Sequence, residues 1–381
     1  MNRRSFAKKI LLSTTFPLAN ISNATEITDS KKRAGKTADE GDSGIMPELT
    51  NKQSATMVFV GDLQRYSNST IKSAIARMMN AWIVRYAKQL NIKCALFAGD
   101  LVENNNYNKI IKIQDADLSS EGQWKCTFEN FKILDKKVAY IACTGNHDYG
   151  ITCFENRQTH FNDFFNESRL PMKNVKLLDM CVNAFGKPTF ENACFEVDLG
   201  NAWGKIIVFS IEFCPRDSVI EWVNKTATKY SDKTAILLLH DYITMSGNFS
   251  KPPRLSRKQL IPADAKGGAI VWEMLVKKTP NIRLVLCGHS DNPKTYELEG
   301  NSSFRTDTND AGKQVHAMCF AMHGRKYDGH GADGWLRTLE FLPDAKTVKV
   351  STFSPYLFYS MRTKLDSRAT DAKNEFTFQI I

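Results

Sequence analysis

Five short polar stretches, each placed just after an apolar run, carry the residue types that bind divalent metals and move protons. They hold Asp62 with Gln64, then Asp100, then Asn146, His147 and Asp148, then His240, and last His289 with Asp291. Carboxylate and amide oxygens and imidazole nitrogens suit hard or borderline divalent cations. Each stretch alone has a plainer reading. Gly-Asn and Gly-Asp are common turns, and a His that ends a strand is commonly a satisfied structural side chain. Five together are different. If all five follow strands of one α/β fold, they converge from distant parts of the chain on the sheet edge where such folds bind ligands.

The elements needed to position them are legible as apolar runs. Strands are expected at 55–60, 95–98, 138–143, 206–209, 235–239 and 282–286. Between them, Ile71, Ile75, Met78, Trp82, Tyr86 and Leu90 recur at helical spacing, and Asn68-Ser69-Thr70 can cap that helix. Trp124, Phe128 and Phe131 suggest a second helix, residues 219–230 a third and residues 267–278 a fourth, with Ile270, Met274 and Leu275 on one side. Strand-helix-strand order implies parallel crossover units. Segments 293–299, 314–321, 334–341, 347–353 and 375–381 alternate and read as antiparallel strands.

The 381 residues allow ample core for one large α/β domain or two smaller ones. Lys and Arg number 51 against 41 Asp and Glu, a formal charge of +10. The excess is scattered, and no aromatic-and-basic run of the kind that stacks bases is present, which ranks a nucleic-acid partner last. Nine cysteines, an odd count, include no Cys-x-x-Cys pair, so neither a zinc knuckle nor a thioredoxin-type site is indicated. Some of Cys126, Cys153, Cys181, Cys194 and Cys214 could pair. No apolar stretch approaches the length needed to span a bilayer.

Taken as a set, Asp62-Leu63-Gln64, Gly99-Asp100, Gly145-Asn146-His147-Asp148, His240 and Gly288-His289-Ser290-Asp291 resemble the calcineurin-like metallophosphoesterase superfamily. That pattern is Asp-x-His, Gly-Asp, Gly-Asn-His-Asp/Glu, His and Gly-His-x-His, each after a strand. The resemblance spans about residues 55–355. It is nearest to an exported bacterial subgroup with Asp-x-Gln in the first block, which also carries runs like 211–217 and 334–337 of this chain. The resemblance implies an α/β fold, a four-layer αββα sandwich with mixed sheets. It also implies two divalent metal ions, drawn from Mn, Fe, Mg, Ca and Zn. Asp100 would bridge them, Asp62, Gln64 and Asp291 would complete one site, and Asn146, His240 and His289 the other.

Two positions depart from the pattern, because Gln64 and Asp291 stand where most members have His. The first site becomes all-oxygen, which favours Mn, Mg, Ca or Fe over Zn. The implied reaction is hydrolysis of a small-molecule phosphate mono- or diester by a hydroxide that two metals activate. His147 would protonate or stabilise the departing oxygen, and Asp148 would orient that imidazole. Arg65 and Arg216 could add positive charge for a phosphate, though each reads more simply as a surface or packing residue. A non-catalytic metal- or phosphate-binding module is the competing reading, motivated by the altered first site. The intact Gly-Asn-His-Asp favours the enzyme.

At the amino terminus, Asn2-Arg3-Arg4-Ser5-Phe6-Ala7-Lys8 resembles the twin-arginine export signal. A weakly apolar stretch to Ala19 and a small-residue cleavage spacing, Ser22-Asn23-Ala24, follow it. The expected layout is a signal peptide over 1–24, a flexible polar linker over 25–53 and a phosphoesterase domain over 54–381. The expected location is the periplasm or the exterior of a bacterium, reached through the twin-arginine machinery.

Overall fold

The computed structural model describes residues 44–107, 116–151, 153–170, 172–251, 261–290, 302–321 and 333–381. Asp291, the expected strand at 293–299 and the proposed signal peptide lie outside the described residues.

The run Ala-Thr-Met-Val-Phe-Val, buried at every position, forms strand β1 (Ala55–Val60). Such a run cannot present a solvated face, so it belongs at the centre of a sheet covered on both sides. Parallel to it lie β2 (Ile92–Phe97) and then β3 (Ala139–Ala142). Antiparallel on its other side are β11 (Leu336–Phe341), β12 (Thr347–Phe353), the short β13 (Arg368–Ala369) and β14 (Glu375–Gln379), the last pairing with β12. Among the described residues the second sheet also has seven strands, in the order β4 (Val175–Val182), β5 (Pro188–Asp198), β6 (Lys205–Ser210), β7 (Ala235–Leu238), β8 (Ile282–Cys287), β10 (Gln314–Phe320) and β9 (Ser302–Thr308).

Alternation along the second sheet decides the layering. Ile206, Val208, Ile236, Leu238, Leu284 and Leu286 join a core with β1, β2 and β3. Their neighbours Ile207, Phe209, Leu237 and Val285 pack instead on helix α3 (Asp217–Lys229) through Val219, Ile220 and Val223. On the first sheet, α1 (Thr70–Tyr86) buries Ile75, Ala76, Met79, Trp82 and Ile83, and α2 (Ser120–Phe131) buries Trp124 and Phe131. Two mixed sheets thus meet face to face, with helices outside each: the expected αββα sandwich.

Several expectations shift in detail. The buried stripe of α1 runs through Met79 and Ile83, while Ile71 is 56% exposed; Trp82, against Phe353, sets the facing side. The fourth helix, α4, is α-helical over Gly268–Val271 and widens into a π-helical turn over Trp272–Val276. Its buried face is therefore Val271, Leu275 and Val276 instead of one containing Ile270. Strand β10 is antiparallel only to β9 and runs parallel to β8. Strands β4, β5 and β9 were not expected: β4 is half-exposed, and β5 buries Glu191 and Asn192 in mid-strand, so neither reads as an apolar run. All nine cysteines are free thiols.

The compact unit begins at Gly44. Residues 44–53, read from their polarity as linker, lie against it: Met46 is buried, and Thr50 donates through its backbone N–H and hydroxyl to the Glu340 carboxylate at 2.7 and 2.9 Å. No described helix is long and apolar enough to cross a membrane.

Candidate metal centre

The parallel order of β1, β2 and β3 brings Asp62, Asp100 and Asn146 together on the loops after their carboxyl ends. The equivalent ends of β7 and β8, in the other sheet, supply His240 and His289. Backbone contacts lock the two sets together. His240 Nδ1 donates to the Ala98 carbonyl at 2.6 Å, and the His289 N–H donates to both Asp62 carboxylate oxygens at 3.1 Å. Glycine is required where these loops touch. A Cβ on Gly145 would lie 2.2 Å from Asp100 Oδ1, and one on Gly288 would lie 2.0 Å from Asp62 Oδ1. Asp100 and His289 have positive φ, +49° and +68°, a backbone state that costs about 1–3 kcal/mol at a non-glycine residue. Such strain persists only where the surroundings over-determine it.

Donor atoms converge on His240 Nε2. Asn146 Oδ1 is 3.1 Å away, Asp100 Oδ2 3.2 Å and His289 Nδ1 3.2 Å. Because a carbonyl can only accept, the bond to Ala98 places a proton on His240 Nδ1. Nε2 then faces two oxygens that can only accept. That arrangement is repulsive unless a positive charge sits within it, either a proton on Nε2 or a cation among the four atoms. The electrostatics agree. Burial pulls the His240 pKa down, but the Asp100 and Asp62 carboxylates outweigh it and raise it to about 10. Burial raises the Asp100 carboxyl, yet His240, His147 and His289 hold it well below the usual range. Asp100, His240 and His289 each offer a ligand atom within 4.8 Å of the others. A divalent cation fits this donor set of carboxylate, amide oxygen and two imidazoles.

Asp62 and Gln64 stand beside this cluster. Both are buried, and Gln64 Nε2 donates to Asp100 Oδ2 at 3.1 Å. The two acids therefore share a neighbourhood with the Gln64 amide, as an all-oxygen first site requires. Of its expected members only Asp291 falls outside the described residues.

His147 sits next to Asp100, its backbone N–H donating to Asp100 Oδ1 at 2.9 Å. Its ring Nδ1 lies 2.7 Å from the backbone carbonyl of Glu103, which fixes the proton on Nδ1 and leaves Nε2 as the exchangeable position. This corrects the expected orienting role of Asp148. Both Asp148 oxygens take backbone donors: Oδ1 from Leu101 and Val102 at 2.8 and 3.1 Å, and Oδ2 from Gly145 at 2.8 Å. Asp148 is wholly buried and ties the loop after β2 to the loop after β3; burial and the charge of Asp100 raise its pKa to about 7. Glu103 escaped the sequence reading because it acts through its carbonyl, which every residue type possesses.

The two arginines separate. Arg65 is 3.4 Å from Glu103 in an ion pair at the site's edge. Arg216 is used structurally, bonding the buried Glu212 carboxylate and the Val182 carbonyl.

A family model described as calcineurin-like phosphoesterase matches residues 55–293. YvnB of Bacillus subtilis (strain 168), an uncharacterized protein, is 28% identical over 333 residues; these are 86% of this chain and 22% of that protein, so the chain spans only that fraction of its relative's length. Among solved structures, a dimetal phosphatase from Danio rerio aligns over 86% of this chain and 99% of its own, at 8% identity and a TM-score of 0.45. PhoD aligns over 88% and 71%, at 10% identity and the same TM-score. The chain belongs to the calcineurin-like phosphoesterase family.

Proposed function

We propose that this chain is an exported phosphoesterase that holds two divalent cations and hydrolyses a small-molecule phosphate mono- or diester. The observation that carries this reading is the convergence of Asp100, Asn146, His240 and His289 on one point, with His147 held beside it in a single tautomer. In the proposed assignment Asp100 is shared, Asp62, Gln64 and Asp291 hold one cation, and Asn146, His240 and His289 hold the other. Two such cations, when bound there, would supply a nucleophilic water at neutral pH and positive charge for the phosphoryl oxygens.

The chain's own side chains do the rest. His240 and Asp100 are oriented before any ligand arrives, His240 by Ala98 and Asp100 by the N–H groups of His147 and Gln64. His147 keeps its Nδ1 proton on Glu103, so a proton carried on Nε2 is the one it can give to the departing oxygen. Burial pulls the His147 pKa down, but the Asp100 and Glu103 charges outweigh it and raise it above the usual imidazole value.

The experiment is an assay of metal-analysed protein against para-nitrophenyl mono- and diesters, with Mn, Mg, Ca, Fe or Zn added in turn. Hydrolysis with at least one metal is expected. No hydrolysis with any of them would leave a binding module in place of an enzyme. Export is tested separately: replacing Arg3 and Arg4 with Lys keeps the charge but removes the pair that the export receptor reads, and the chain should then remain cytoplasmic. Processed protein still leaving the cytoplasm would refute that part.

A further inference from the structure

The end of the Asn146 amide turned away from His240 is bonded to a residue outside the proposed ligand set. An asparagine side chain presents either an oxygen or an N–H2 group to whatever it faces, and only the oxygen can donate to a cation. Here Oδ1 faces His240 Nε2 at 3.1 Å, and Nδ2 donates to Cys153 Sγ at 3.0 Å. Among the described residues that sulfur is the acceptor for the amide.

Cys153 is itself held in place. Its backbone N–H donates to Glu155 Oε2 at 3.1 Å, and the same oxygen takes the Ile151 N–H at 3.0 Å. The Asn105 amide secures the turn by donating to the Gly150 carbonyl at 2.8 Å.

We infer that Cys153 is a positioning residue for the metal centre, fixing the Asn146 amide so that its oxygen points at the cation. The inference rests on the proposed metal-binding reading of the site. A sulfur acceptor contributes modest energy, but it holds the Nδ2 end of the amide, while a cation favours the oxygen at the other end. Flipping would turn N–H2 toward a cation and an oxygen toward sulfur. Donating from Nδ2 also polarises the amide and places more negative charge on Oδ1. Loss of a partner of this kind costs metal affinity by about 10–100-fold, and a weak sulfur acceptor belongs at the lower end.

The test is Mn2+ binding to metal-stripped full-length chain by titration calorimetry, with thermal melting to confirm folding. The wild type is compared with Cys153→Ala, Cys153→Val and Cys153→Ser. Ala removes the acceptor and Val does so while filling the space, so both should bind Mn2+ about tenfold more weakly. Ser keeps an acceptor and should recover most of that loss. Equal affinity in all four proteins overturns the inference while leaving the metal-binding reading intact. Equal weakening in Ala, Val and Ser also overturns it, because the thiol would then be a packing element. A folded wild type that binds no Mn2+ overturns the inference, and the same result with Mg2+, Ca2+, Fe2+ and Zn2+ overturns the reading beneath it.

Discussion

Asp100 is the side chain with the most to lose. One of its oxygens accepts the His147 N–H, and the other meets the Gln64 amide and His240. Asp100→Asn keeps the volume but removes the charge, and it turns an N–H2 group toward one of those partners. Among the proposed ligands it should therefore cost the most activity and lower the metal content. His147→Ala should leave metal content nearly intact while reducing turnover by about 10²–10⁴-fold, the contribution of a positioned general acid. Turnover against a para-nitrophenyl ester and metal analysis on the same samples check both. Metal loss in His147→Ala would show that its ring is a ligand.

The loops after β2 and β3 form one element, and Asp148 joins them. Its carboxylate satisfies three buried N–H groups, those of Leu101, Val102 and Gly145. Asp148→Ala strands all three, at about 1–3 kcal/mol for each buried donor left unsatisfied. The expected outcome is a large fall in stability by urea denaturation, with metal binding impaired because Asp100 and Asn146 lose their common anchor. This signature differs from that of His147→Ala, where stability should hold. An Asp148→Ala protein as stable as the wild type but with lowered turnover would restore Asp148 to the catalytic role first expected of it.

At the scale of the molecule, the centre fastens one sheet to the other, and its charge state should be felt in global stability. His240, raised from 6.5 to about 10, contributes stability that is full below pH 6.5 and lost as the pH rises through 10. Asp100, lowered from 3.8, contributes stability present above that value and lost as the pH falls through its depressed pKa. Metal-free protein should thus weaken steadily from pH 6.5 to 10. Saturating Mn2+ should abolish that decline, since a cation takes the place of the proton on His240 and also stabilises the fold by mass action. Denaturation curves across that range, with and without Mn2+, check the sign; identical slopes would refute it.

By itself the sequence determined the parallel strand-helix units and most of the metal-binding candidates, because both are written in local patterns, while the sandwich followed only from the family resemblance. Buried parallel strands must be apolar throughout, and loops at their ends carry side chains chosen for chemistry, so Asp62, Asp100, Asn146, His147, His240 and His289 stand out against their surroundings. The edge strand β4 and its neighbour β5 did not, since one half-solvated and one polar-centred strand lack that contrast. The tertiary structure alone decided who orients whom. Asp148 neighbours His147 in the chain, yet its carboxylate turns to Leu101, Val102 and Gly145, while the imidazole is held by the carbonyl of Glu103, 44 residues away. Cys153 reaches Asn146 in the same way. Backbone carbonyls and half-buried thiols leave no mark in a residue pattern. Their roles come from direction and distance, which exist only once β2 and β3 have paired and the loops after them have met.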